Sequence, residues 1–195
     1  MIRIVLAAVA AGLLFAAVEQ RTPGARPALA VLVSFDGIAG PRNPSDNSLA
    51  VGPHHIVQTV NSRLAVFDKA GKLLHGPAPT NAVFQGFGGP CEQTLSGDAV
   101  ARYDQLAGRW LLVLPVFHRI ADRPEEPYSV CYAVSATGDP MGAWHRYEFR
   151  RKLFPDYPRP AIWPDGYYTP TSTGDDVIQK HVCIADRARM LKGEP

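Results

Sequence analysis

Three aspartates occupy comparable places in this sequence: Asp46 in PSDNSLAVGP, Asp98 in SGDAVARYD and Asp156 in FPDYPRPAIWPDG. Each stands just before a short apolar segment. If those segments are the first strands of successive sheets around an axis, the three carboxylates converge into part of a ring. Such a ring repels itself unless a cation sits among the acids, and oxygen ligands favour Ca²⁺. The same acids could act on a sugar, which needs two carboxyls about 5 to 10 Å apart. The simpler alternative is that each closes an Asx-turn ahead of its strand. No catalytic residue is assigned, and Ca²⁺ is the one cofactor that the pattern brings into consideration. A second set, Asp104 and Asp165, lies in the turns after those segments, where solvated carboxylates are expected.

The other reactive side chains offer less. The histidines (His54, His55, His75, His118, His145, His181) lack the i, i+4 spacing of a helical zinc site. His54 and His55 are adjacent, so in a strand they would point to opposite faces. No G-x-S-x-G elbow is present. Of the three cysteines, Cys131 and Cys183 sit inside apolar third strands, where a small buried residue is expected. At equivalent positions of adjacent sheets, their Cα atoms would stand beyond the roughly 7 Å that a disulfide spans. Cys91, in the Gly-rich GFGGPCE loop, leads into the sheet that holds Cys131. The expected bridge is therefore Cys91–Cys131, with Cys183 free or paired outside the chain.

The elements that must position these residues are short and turn-rich. With 46% hydrophobic and 19% charged residues, the composition is globular. A net charge of +2 with no Lys/Arg cluster argues against a nucleic-acid partner. From Val31 onward, apolar runs are punctuated by Gly, Pro, Asn and Asp without a sustained helical period, apart from a brief helix-like ADRARMLK (Ala185–Lys192). Second strands begin near 56, 110 and 167, with offsets of 54 and 57. A period near 50 with three or four strands per unit marks the blades of a β-propeller. The expectation is an all-β fold of antiparallel four-stranded blade-like units, a partial propeller arc, with an irregular β-sandwich as the alternative. The units fall at about 44–80, 96–150 and 156–193, within a domain at 31–195. Two complete units and part of a third leave the ring unfinished. Either the chain is an incomplete piece of a longer protein, or a partner completes the ring, since an open arc exposes an apolar face and an unpaired edge.

Arg3 followed by the uncharged run Ile4–Val18 reads as a secretory signal at 1–18, with a flexible leader at 19–30. The run is shorter than the ~20 residues of a spanning helix. Membrane contact is expected only through this segment, if it stays uncleaved. The body is then periplasmic, extracellular or at the cell surface.

Two local patterns have counterparts in known families. Thr137-Gly138-Asp139-Pro140-Met141-Gly142-Ala143-Trp144 resembles the S-x-P-x-G-x-W turn of five-bladed glycosidase propellers, and approaches the Asp-box of sialidases with its glycine one residue late. Both resemblances concern blade structure alone. More broadly, PSDNSLAVGPHHIVQTVN, AVFDKAG, NAVFQGFGGPCE, DYPRPAIWPDGYY and CIADRARML make residues 31–195 resemble a family of secreted bacterial proteins of unknown function. That resemblance implies a larger, propeller-like extracellular protein, sometimes joined to adhesion-type β domains, and it carries no catalytic residues. Gly97-Asp98-Ala99 departs from the family's usual G-D-P. The function expected is a secreted or surface binding module for a glycan, a peptide or Ca²⁺. The alternatives are a glycoside-processing enzyme and a purely structural domain.

Overall fold

The computed structural model describes residues 32–41, 43–117, 128–172 and 181–195. The signal and leader expected at 1–18 and 19–30, and His118, lie outside these. The compact unit is Val33–Pro195. Its described residues form three separate antiparallel sheets, each wound as a meander, so it is a propeller-type arc of blades rather than a sandwich of two facing sheets. Among the described residues no helix is long and apolar enough to cross a membrane.

Blade I contains β1 (Ser48–Val51), β2 (His55–Val60), β3 (Arg63–Asp68) and β4 (Leu73–Pro79). Val60 pairs with Arg63 across the two-residue turn Asn61-Ser62, and Ser62 adopts a φ of 72°. At the β3–β4 turn the Asp68 carboxylate accepts from the amides of Ala70 and Lys72, both at 2.9 Å. The register slips opposite Leu64–Phe67. Gly76 lies there at φ 89°, and a Cβ on it would come within 2.5 Å of the Leu64 carbonyl, so only glycine fits the bulge.

Blade II contains β5 (Val100–Asp104), β6 (Arg109–Val116), β7 (Tyr128–Ser135) and β8 (Trp144–Arg151). Nearly all of β6 and β7 is buried, because blades I and III cover both of their faces. This accounts for the continuous apolar runs WLLVLPV and YSVCYAVS. Blade III contains β9 (Ala161–Ile162), β10 (Gly166–Thr171) and β11 (His181–Asp186). A short helix, α1 (Gly89–Gln93), fills the connection between blades I and II; a second, α2 (Arg187–Lys192), follows β11. The Asp186 carboxylate caps α2 by accepting from the Arg189 amide at 3.0 Å, and Gly193, at φ 74°, ends it.

The core lies between blades. Ala50, Val57, Leu64 and Val66 of blade I meet Trp110, Leu112, Leu114 and Ala133 of blade II. Leu111, Val113, Val130 and Tyr132 of blade II meet Tyr167 and Ala185 of blade III. Gly52 allows the first seam to close, since a Cβ there would stand 2.6 Å from the Trp110 ring. The turn before Trp144 is structural. Asp139 accepts from the Met141 amide at 2.9 Å, and the Trp110 indole donates to the Gly138 carbonyl at 2.9 Å.

Cys91 and Cys131 are bridged, with Cα atoms 5.8 Å apart, and both are fully buried in the first seam. A disulfide there belongs with folding in an oxidising compartment. Cys183 is unbridged. It is not the register equivalent of Cys131, however. Cys131 pairs with Leu114, and the corresponding pair in blade III is Thr171 with His181, so Cys183 stands two residues further along its strand, at the place of Ala133.

Candidate ligand-binding cleft

Asp46, Asp98 and Asp156 line one cleft of about 760 Å³, together with Tyr157, Arg159, Thr171 and Ser172. Three different devices hold the acids there. Asp46 lies two residues before β1 at φ 38°, a left-handed conformation that aspartate tolerates better than most residues. Its carboxylate accepts from the Asn61 amide at 3.3 Å, and the same amide group donates to the Pro44 carbonyl at 2.7 Å. The Asn61 backbone amide adds a bond to the Ser45 carbonyl at 2.9 Å. The β2–β3 turn thus carries the loop that carries Asp46.

Asp98, two residues before β5, also takes a left-handed φ of 55°. Its loop leans on blade I: Thr59 donates from its buried hydroxyl to the Ala99 carbonyl at 2.7 Å. A Cβ on Gly97 would meet the Asn61 side-chain oxygen at 2.9 Å. Asn61 is therefore the post against which both acidic loops are set. Asp156 is fixed differently, by an isolated antiparallel bridge to Ser172 with N···O distances of 3.0 and 3.1 Å. The loop continues through Tyr157 at φ 42° to Arg159, whose amide donates to the Pro170 carbonyl at 3.2 Å. The Arg159 guanidinium lies over the Tyr157 ring, 4.3 Å from its centroid.

Beneath the acids, Arg102 ties the three first strands together. Its Nε donates to the Pro160 carbonyl at 3.1 Å, and its Nη1 donates to the Ala101 carbonyl at 3.0 Å and the Ser48 hydroxyl at 3.4 Å. Burial draws its pKa below the ordinary arginine value. Sequence reasoning missed Arg102, Tyr157, Arg159 and Asn61. The signals were present as a lone cation inside the short VARYD strand and as the proline-spaced DYPRP run.

The cleft mixes acceptors with donors. Among the described residues, no three His, Cys, Asp or Glu side chains stand close enough together to hold a metal ion. What the arrangement offers is a cleft lined by three carboxylate-bearing residues together with Arg159, Thr171 and Ser172.

Asp104 is not the solvated turn carboxylate that its sequence position suggests: it is 0% exposed. The carboxylate receives Arg187 Nε at 2.6 Å and Nη2 at 3.1 Å, the Tyr167 hydroxyl at 2.9 Å, and the amides of Leu106 and Ala107 at 3.1 and 3.2 Å. Burial pushes its pKa up, but the bonds from Arg187 and Tyr167 outweigh that and hold it below the usual aspartate value. This cluster locks blade II to blade III and α2. Asp165 is exposed, as expected, and accepts from the Tyr168 hydroxyl at 2.9 Å.

Compared with protein families, the sequence matches none, and no curated protein matches it. Among solved structures, an endo-arabinanase of glycoside hydrolase family 43 from Bacillus licheniformis is similar, with a TM-score of 0.36 and 12% identity over 72% of this chain. The matched region covers 52% of that structure, so the chain spans about half its length. So loose a likeness says nothing of function, and the blade assignment stands on strand order and register.

Proposed function

We propose that this chain is a secreted or cell-surface binding module of propeller type, and that its ligand is a glycan seated in the cleft between Asp46, Asp98 and Asp156. The observation that carries this reading is that three acids from three successive blades line one cleft. Its volume falls in the range of small-ligand sites. Carboxylates accept from pairs of sugar hydroxyls, and Arg159, Thr171 and Ser172 supply donors for ring and hydroxyl oxygens. Charge-assisted hydrogen bonds contribute about 1.5–3 kcal/mol each, so losing one lowers affinity about tenfold or more.

A glycan array followed by titration calorimetry tests this. The wild-type chain is expected to bind at least one glycan class, and Asp98→Asn to weaken that binding about tenfold or more. Asp165→Asn, outside the cleft, should leave it unchanged. Equal affinity for Asp98→Asn and wild type would sink the reading. The gathered carboxylates also keep a glycoside-processing reading in play. Release of new reducing ends from the bound glycan, abolished in Asp98→Asn, would favour it over binding alone. A melting midpoint that rises with Ca²⁺ and falls with EDTA would add a cation to the site.

A further inference from the structure

The residues that line the cleft are sorted by blade. Its side-chain donors, Tyr157, Arg159, Thr171 and Ser172, all belong to blade III, in the loop ahead of β9 and at the end of β10. Asp46 and Asp98 stand ahead of the first strands of blades I and II. Asp156, the third acid, is at the root of the donor loop, where its backbone is bridged to Ser172. Apart from Asp156, acceptors therefore come from blades I and II and donors from blade III.

Arg159 is exposed, yet it is set in place more firmly than a surface arginine usually is. It stands between Pro158 and Pro160, both buried, whose rings fix φ on either side of it. Its amide donates to the Pro170 carbonyl at 3.2 Å, and the Pro160 carbonyl accepts from Arg102 Nε at 3.1 Å. Its guanidinium rests over the Tyr157 ring, 4.3 Å from the centroid. Tyr157 is itself fixed: its φ of 42° is strained for an aromatic residue, and its hydroxyl lies within electrostatic reach of Arg102. Among the described residues no carboxylate forms an ion pair with the Arg159 guanidinium. A charged fork of donors is thus held on an aromatic rest at the edge of the cleft, with less side-chain entropy left to lose on meeting a ligand.

We infer that the ligand is an acidic glycan built from uronic acid residues, and that Arg159 is the residue that recognises its carboxylate. This rests on the glycan-binding reading above and narrows it. A planar guanidinium meets a carboxylate with two parallel N–H···O bonds, which a neutral hydroxymethyl group cannot match. A carboxylate presents both oxygens along one edge, so a single guanidinium satisfies it. A sulfate or phosphate spreads its charge in three directions, some of them toward the acids. Asp46 and Asp98 then fix the orientation. They accept from the sugar hydroxyls, and the reversed pose would set the ligand carboxylate against them, like charge on like.

Titration calorimetry on the full chain tests this, with a panel of uronic acid oligosaccharides and their carboxyl-reduced counterparts, in which each carboxylate has become a hydroxymethyl group. Wild type is expected to bind at least one uronate about tenfold or more tightly than its reduced form. Arg159→Gln, at an exposed position away from the core, should bring the acid down to the affinity of the reduced form. Asp98→Asn should weaken the binding of both forms, as the glycan-binding reading requires. Equal affinity of wild type for the acid and reduced forms overturns the inference, and so does a preference for the acid that survives Arg159→Gln. Binding confined to neutral glycans overturns it too but leaves the binding module standing, whereas binding of no glycan at all overturns both.

Discussion

Replacing Arg187 with methionine is expected to lower stability by about 3–5 kcal/mol, the usual cost of leaving a buried charge without its partner. Asp104 has no exposed surface and receives two of its five hydrogen bonds from this guanidinium. Without Arg187, the tyrosine and two amides remain, but no positive charge offsets desolvation. For a domain of this size that corresponds to a fall in melting midpoint of about 6–20 °C. A midpoint within 2 °C of wild type would mean that water reaches Asp104 when the arginine is gone.

The pH dependence carries the same information with a definite sign. In the wild type the Asp104 carboxyl titrates below its ordinary value. The unfolded chain therefore takes up the proton first as pH falls, so this group's stabilisation is complete above about pH 5 and is lost progressively below about pH 4. In Arg187→Met, burial without the guanidinium raises the carboxyl's pKa above its unfolded value, and the slope reverses. Acidifying from pH 7 toward pH 5 should then recover part of the lost stability. Urea denaturation of both proteins at pH 7, 6, 5 and 4 reads the difference, which cancels the titration of carboxylates common to the two.

Breaking the Cys91–Cys131 bridge is expected to cost about 4 kcal/mol, from the chain entropy that its loop releases on unfolding. The two cysteines are 40 residues apart in sequence, and the bridge pins the connection between blades I and II to the middle of β7. Cys91→Ala/Cys131→Ala, compared with wild type by urea unfolding, measures the effect. A loss under 1 kcal/mol would show that Phe84 and the packing around it order this connection unaided. Because both sulfurs are fully buried, dithiothreitol should reduce the bridge only at urea concentrations that open the first seam.

Much of the fold was legible from local chemistry. The limits of β3 and β7, the helical turn after β11 and the turn before Trp144 follow from apolar runs of strand length between Gly, Pro, Asp and Asn. The disulfide was legible too, because Cys91 leads into the blade that holds Cys131 and Cys183 belongs to a different blade.

The acids divide along another line. Asp46, Asp98, Asp104, Asp156 and Asp165 all read as turn aspartates beside a strand, and locally each of them is one. Only the stacking of the blades gathers Asp46, Asp98 and Asp156 at one cleft and buries Asp104 against Arg187, which lies 83 positions further along the chain. The sequence alone placed most of the strands, because turn preference and two-residue alternation act between neighbours in the chain. The tertiary structure decided which carboxylates face a ligand and which face an arginine, because burial and charge pairing act through space between blades.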